Sequence, residues 1–229
     1  MCGRFTLRTS PVELAEIFQL RREPVWHPRY NIAPTQPVAV VRQHDGSRVL
    51  DLLRWGLIPS WSKDPAIGSR MINARGETVA TKPSFRAAFK RRRCLIPADG
   101  LYEWKMTESK TKQPYFIGMQ DDVPFAFAGL WEHWQGSDGS EVETCTIITT
   151  EANSTLSELH ERMPVILEEE DYDSWLDPKQ EDKEELQSLL VPSQTDRLRF
   201  FPVRTVVNSP KNEVPECVIP IDEQGTLFG

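Results

Sequence analysis

The apolar and polar positions of this chain mark strands far more often than helices. Residues 37–43 (PVAVVRQ) and 48–57 (RVLDLLRWGL) flank His44-Asp45-Gly46 and read as two strands joined by a tight turn. Further strands are expected at 93–105 (RCLIPADGLYEWK), 113–119 (QPYFIGM), 124–134 (PFAFAGLWEHW), 142–150 (VETCTIITT), 163–167 (MPVIL) and about 198–203. Helical signals are short. Ser10-Pro11-Val12-Glu13 is a capping box with proline at the first helical position, predicting a helix over about 10–18. Thr155 and Glu158 form a second such box, leading toward His160. Phe85 and Phe89 lie four apart and predict a helix over 83–92, with others at about 169–176 and 180–190. Residues 58–80, broken by Pro59, Pro65 and Gly68, read as an irregular surface loop. Strands in meander order with helices at the ends predict a β-rich α+β single domain, without the alternation of a parallel sheet.

Composition narrows the setting. With 229 residues, 39% apolar and 27% charged, the chain can bury a proper core. MCGRFTLRTS lacks the apolar core of a signal peptide, and no apolar run approaches a membrane span of about 18 residues. Cys2, Cys94, Cys145 and Cys217 are widely spaced, which predicts no disulfide framework, no metal site and a reducing, cytoplasmic location. The net charge of −7 is uneven, because residues 1–100 hold 17 Lys+Arg against 8 Asp+Glu and the remainder holds 10 against 26. Such a basic half reads as a footprint for phosphates, whatever the total charge. Its densest run, Lys90 to Arg93, reads by itself as a solvated helix end rather than a contact.

Four segments and the first residues hold the candidate chemistry. Removal of Met1 would expose Cys2 as a 1,2-aminothiol. Its α-amine has a reference pKa of about 7.7–8.0 and can attack an aldehyde to give an imine, which the thiol closes to a thiazolidine. Arg29 to Pro34 (RYNIAP) is either a turn with a buried asparagine cap or part of a site. In Met71 to Glu77, Asn73 is placed to orient a reacting group and Arg75 to hold an anion, unless the cluster only tethers a loop. In Ala98 to Trp104, alternation puts Glu103 on the face of Leu101 between aromatics, where desolvation raises a carboxyl pKa and suits acid–base work. The competing reading is an edge-strand salt bridge. His160, before Glu161-Arg162-Met163-Pro164, is the remaining acid–base candidate, although a lone histidine is more often structural.

MCGRF, RYNIAPTQ, MINARGET, RRCLIPADGLYEWK, HERMP and VVNSPKN occur together in an order that resembles the SRAP family, over about residues 1–215. These are the SOS response-associated peptidases, or abasic-site processing proteins. The resemblance implies two antiparallel sheets forming a barrel-like core with short peripheral helices. It also implies covalent trapping of abasic sites in single-stranded DNA, shielding them from strand cleavage, with self-removal of Met1 and lyase activity as further expectations. Matched by motif, Cys2 would be the nucleophile and Asn73 would position it. Glu103 would shuttle protons, and His160 would protonate the ring oxygen to open the sugar. Arg4, Arg75 and Arg162 would grip flanking phosphates. Trp61, an aromatic in the 58–68 loop, would stack on a base or else anchor that loop, and Pro34 is counted as a further DNA contact. No cofactor is expected. The expected partners are abasic single-stranded DNA and replication proteins, and the expected state is a nucleoid-associated monomer.

Two other readings remain open from sequence. MCG also opens class II glutamine amidotransferases, although their Asn-Gly oxyanion motif is not found here. A nucleic-acid-binding module with an incidental Cys2 would explain the charge asymmetry without any chemistry.

Overall fold

The computed structural model describes residues 2–193 and 198–221, so Met1 lies outside the described residues. Chain order runs from strand β1 (Phe5–Leu7) through helix α1 (Pro11–Ile17), β2 (Arg29–Ile32), β3 (Pro37–His44) and β4 (Ser47–Trp55). It continues with β5 (Asn73–Arg75), α2 (Gly76–Val79), α3 (Arg86–Arg91), β6 (Arg93–Ala98), β7 (Gly100–Met106), β8 (Lys112–Met119), β9 (Phe125–Gln135) and β10 (Glu141–Glu151). The last elements are β11 (Arg162–Pro164), β12 (Ile166–Leu167), α4 (Tyr172–Leu176), α5 (Lys183–Ser188) and β13 (Leu198–Pro202).

Five of these strands close on themselves: β10 pairs with β4, β4 with β3, β3 with β6, β6 with β9, and β9 returns to β10. Closure leaves those strands no open edge. The ring is antiparallel except where β10 meets β4, and β5 also joins β10 in parallel. The second, antiparallel sheet has the order β13-β8-β7-β1-β2. Phe5 of that sheet packs edge-on against Trp55 and Phe127 of the ring, at centroid distances of 5.2 and 5.8 Å, so one side chain joins the two layers.

Several expectations hold in detail. Ser10 caps α1, with Glu13 completing the box. Asp45 and Gly46 both take positive φ (49° and 75°), the geometry of a two-residue I′ turn between β3 and β4. Others change. The stretch 93–105 is two strands in different sheets, because the chain turns a corner at Asp99. There the buried carboxylate accepts from Thr6 Oγ1 at 2.6 Å, Arg8 Nε at 3.0 Å and Thr9 N at 3.0 Å, and from Arg8 N. Gly100 follows because a Cβ there would lie 2.1 Å from Phe116. The loop 58–80 contains β5 and α2, and Gly56 (φ 125°) lets it fold back, since a Cβ would meet Gly68 O at 2.5 Å. Thr155 makes no capping bond; a 3-10 turn at Leu156–Glu158 is held instead by Asn153 Oδ1, which accepts from Leu156 N at 2.9 Å. The final helix is shorter than expected, Lys183–Ser188, with Asp182 as its cap.

The charge asymmetry also resolves differently. Arg29, Arg42, Arg48, Lys90, Arg91 and Arg92 pair with Glu213, Glu143, Asp173, Glu181, Glu181 and Glu132, so cations of the first half meet carboxylates of the second. Arg93 is buried and donates to the carbonyls of Phe89, Lys90 and Trp175, tying the end of α3 to α4. Lys90 and Arg91 are an exposed helix end, as the solvated reading expects, whereas Arg92 and Arg93 are drawn into tertiary contacts.

Burial raises the thiol pKa of Cys94 and Cys145 and the phenol pKa of Tyr102 and Tyr172 above their ordinary values. These groups ionise more readily once unfolded, so stability is full below the unfolded thiol value of 9.0 and declines as pH rises through it. Urea denaturation between pH 8 and 10 is expected to show this decline, about 1.4 kcal/mol per pH unit per thiol at most, and replacing Cys94 and Cys145 with alanine should flatten it.

Candidate functional site

Segment 2–4 continues β1 beside β7. Tyr102 N donates to Arg4 O at 3.0 Å, and the pairing Phe5↔Leu101 carries Gly3 alongside Glu103. Cys2 is fully buried, with Sγ 4.0 Å from Arg4 O. Burial first, and the charge of Glu103 second, raise its thiol pKa far above the ordinary value, so the sulfur is a thiol and not a thiolate. Asn73, at the start of β5, donates from Nδ2 to Cys2 O at 2.9 Å. Its Oδ1 is buried without a hydrogen-bond partner among the described residues. An amide held this way has one acceptor left to aim at a donor beside Cys2.

A cavity of about 540 Å³ opens next to this segment, lined by Gly3, Arg4, Glu103, Trp104, Lys112, His160 and Asn208. It brings Glu103 and His160 to one space. Glu103 is 8% exposed, which matches the desolvated position expected from alternation. His160 follows the 3-10 turn at Leu156–Glu158, and its Nδ1 accepts from Arg162 N at 3.0 Å. A neutral imidazole that accepts at Nδ1 carries its proton on Nε2, so His160 is a donor at that atom.

The arginines are placed unequally. Arg4 donates to Asn31 Oδ1, to Val207 O at 2.9 Å and to Asn208 O at 3.4 Å, while its guanidinium lies 5.6 Å over Trp104. Arg162 makes a bidentate pair with Glu77 and donates to Thr149 O at 2.7 Å. Arg75 is exposed and has no ion pair among the described residues. Trp61 is 59% exposed, on a loop anchored where Trp134 Nε1 donates to Ser62 O at 2.7 Å. Pro34 is half-buried before Thr35, which takes φ 71°. Arg75, Trp61 and Pro34 do not line the cavity, whereas Arg4 does.

The profile of the family described as SOS response associated peptidase (SRAP) matches residues 1–210. The chain belongs to the SRAP family. It is 47% identical to the abasic site processing protein YoqW of Bacillus subtilis (strain 168), over 95% of this chain and 99% of that protein. Identity to the abasic site processing protein HMCES of Gallus gallus is 33%, over 97% of this chain and 78% of that protein. A crystal structure of a Bacteroides thetaiotaomicron protein superposes with a TM-score of 0.86 at 28% identity, covering 96% of this chain and all of that one.

Within this SRAP chain, the Arg29–Pro34 segment holds a buried asparagine, one of its two expected readings, while the residues that clasp it carry no local signal. Asn31 is buried, accepts from Arg4, and donates to the carbonyls of Val207, Ser209 and Asn212 at 3.2, 2.9 and 2.9 Å. Glu213 accepts from Arg29 Nε at 2.6 Å, Asn31 N at 2.8 Å and Tyr30 N, closing the outer edge of β2. The RYN and NSPKNE segments thus clasp each other and hold Arg4. A polar residue between apolar neighbours was the available signal for Asn31; nothing local reveals its partners.

Replacing Asn31 with alanine removes the buried amide that accepts from Arg4 and donates to residues 207–212, and is expected to cost about 1–3 kcal/mol of stability. Replacing Arg75 with alanine should change stability by less than about 0.5 kcal/mol. Chemical denaturation of both variants checks this division between a buried clasp and an exposed cation.

Proposed function

We propose that this protein processes abasic sites in single-stranded DNA by trapping their aldehyde on Cys2 after Met1 is removed. The observation that carries this reading is one cavity lined by Glu103 and His160 beside a Cys2 whose carbonyl is held by Asn73. The names of the related proteins from Bacillus subtilis and Gallus gallus support abasic sites as what is processed.

An abasic deoxyribose rests mainly as a cyclic hemiacetal. Opening it moves one proton from the anomeric hydroxyl to the ring oxygen. Glu103 takes the anomeric proton while His160 passes its Nε2 proton to the ring oxygen as the C1′–O4′ bond breaks, and the proton held on Glu103 returns to the imidazole. Neutral histidine acts as an electrophile in this way elsewhere. The Cys2 amine then adds to C1′ and the carbinolamine loses water to give an imine. The thiol adds to the imine carbon, its proton passing to the nitrogen, and closes a five-membered ring. Closing the imine shields the strand from β-elimination; an imine left open would allow lyase chemistry. Glu103 is also the base for self-removal of Met1 through the Cys2 thiol.

Arg75 contacts a phosphate directly, and Arg4 and Arg162 add positive charge from positions their partners fix. Trp61 stacks on an unpaired base and Pro34 lies along the same strand.

Cys2→Ala is expected to abolish the heat-stable adduct while non-covalent affinity stays within about tenfold. Cys2→Ser should form an imine that only borohydride captures. Removing Arg75 should lower the slope of log affinity against log salt by about 0.7. Gel analysis with abasic oligonucleotides tests all three, and a wild-type adduct yield from Cys2→Ala would refute the mechanism.

A further inference from the structure

Glu77 lies outside the cavity, on the first turn of α2, yet it holds both Nη atoms of Arg162. The other contact of that guanidinium is to Thr149, at O (2.7 Å) and Oγ1 (3.4 Å) on β10, and its Nε is buried without a partner among the described residues. Both Nη atoms are thus engaged within the protein. Arg162 is 12% exposed and Glu77 46%, so the pair sits at the boundary of solvent, and the ion pair holds the Glu77 carboxyl below its ordinary pKa. Arg162 is the first residue of β11, a strand of three residues paired to the end of β10 by Glu151↔Arg162. Strand pairing is weakest at such an end. The backbone N–H of this same residue donates to His160 Nδ1.

These contacts form a continuous line from the Glu77 carboxylate, through the Arg162 guanidinium and its backbone N–H, to the ring of His160. We propose that Glu77 is a positioning residue that, acting through Arg162, fixes the orientation and tautomer of His160 so that its proton faces the cavity from Nε2. The second neutral tautomer would place an N–H against the Arg162 N–H and remove the donor from Nε2. Loosening residue 162 lowers the cost of that tautomer and lets the ring turn. Glu77 thereby serves the ring-opening step alone and not the later steps at Cys2. This rests on the proposal that His160 assists opening of the sugar.

The alternative role for a carboxylate on Arg162 is competition with a DNA phosphate, and the two roles predict opposite results. The test compares wild type, Glu77→Gln and Glu77→Asp in single-turnover crosslinking on two single-stranded oligonucleotides at saturating protein. One carries a natural abasic site; the other carries an acyclic aldehyde with no hydroxyl able to close a ring. Glu77→Gln should slow adduct formation on the natural site by about tenfold or more and change the acyclic substrate by less than about twofold. Glu77→Asp should restore part of the rate. The ¹⁵N NMR signals of the His160 ring, assigned through His160→Gln, should show one Nε2–H tautomer in wild type and a mixture in Glu77→Gln.

Equal slowing on both substrates, or an unchanged tautomer in Glu77→Gln, would overturn the inference. So would tighter DNA binding with unchanged rates, which would assign Glu77 as a competitor for Arg162. If wild type forms no adduct with either oligonucleotide, it is the proposed function that fails. The NMR comparison still decides whether Glu77 governs the His160 tautomer.

Discussion

Everything in this structure depends on β1 being an interior strand. It lies between β7 and β2, so residues 2–4 are led along Glu103 into the protein. Phe5 fixes that strand to the closed ring through Trp55 and Phe127, and the Asp99 carboxylate fixes its other end through Thr6, Arg8 and Thr9. Asn31 and Arg4 add a lateral tie to residues 207–212. A terminal residue normally loses much conformational freedom on reacting. Here folding has already removed that freedom at Cys2, which is the kind of preorganisation that shortens the search for a reactive geometry.

Charge is arranged to serve the fold first. Six cations of the first hundred residues are occupied by carboxylates of the remainder, and Arg93 by carbonyl groups. What remains for a polyanion is a smaller set that includes Arg75. A half-chain charge imbalance therefore records long-range pairing at least as much as a binding face. The distinction follows from geometry, since an arginine fork held at both Nη atoms has little left to offer a phosphate.

Local chemistry made part of this legible in the sequence. The Ser10–Glu13 cap, the Asp45-Gly46 turn and the alternation that buries Glu103 are all short-range effects, and all are present. β1 and β2 escaped notice because they are three and four residues long and are defined by their partners. The corner at Asp99 was hidden because its cause, a cluster of donors on residues 6–9, is remote in sequence. Cys2, Asn73, Glu103 and His160 stood out by residue type and by resemblance to a family. Their distances, and the hydrogen bond that assigns the His160 proton, depend on the sheets that carry β5, β7 and β11.

The account's central claim is that Cys2 ends as a thiazolidine on the sugar. Intact mass and peptide mapping of the wild-type protein after reaction with an abasic single-stranded oligonucleotide test it most directly. The account predicts a species lacking Met1 whose mass is the sum of protein and DNA less one water, stable without borohydride, with the modification on the peptide that begins at Cys2. An adduct mapped to a lysine, one that persists only after borohydride reduction, or DNA bound with no mass change would contradict it.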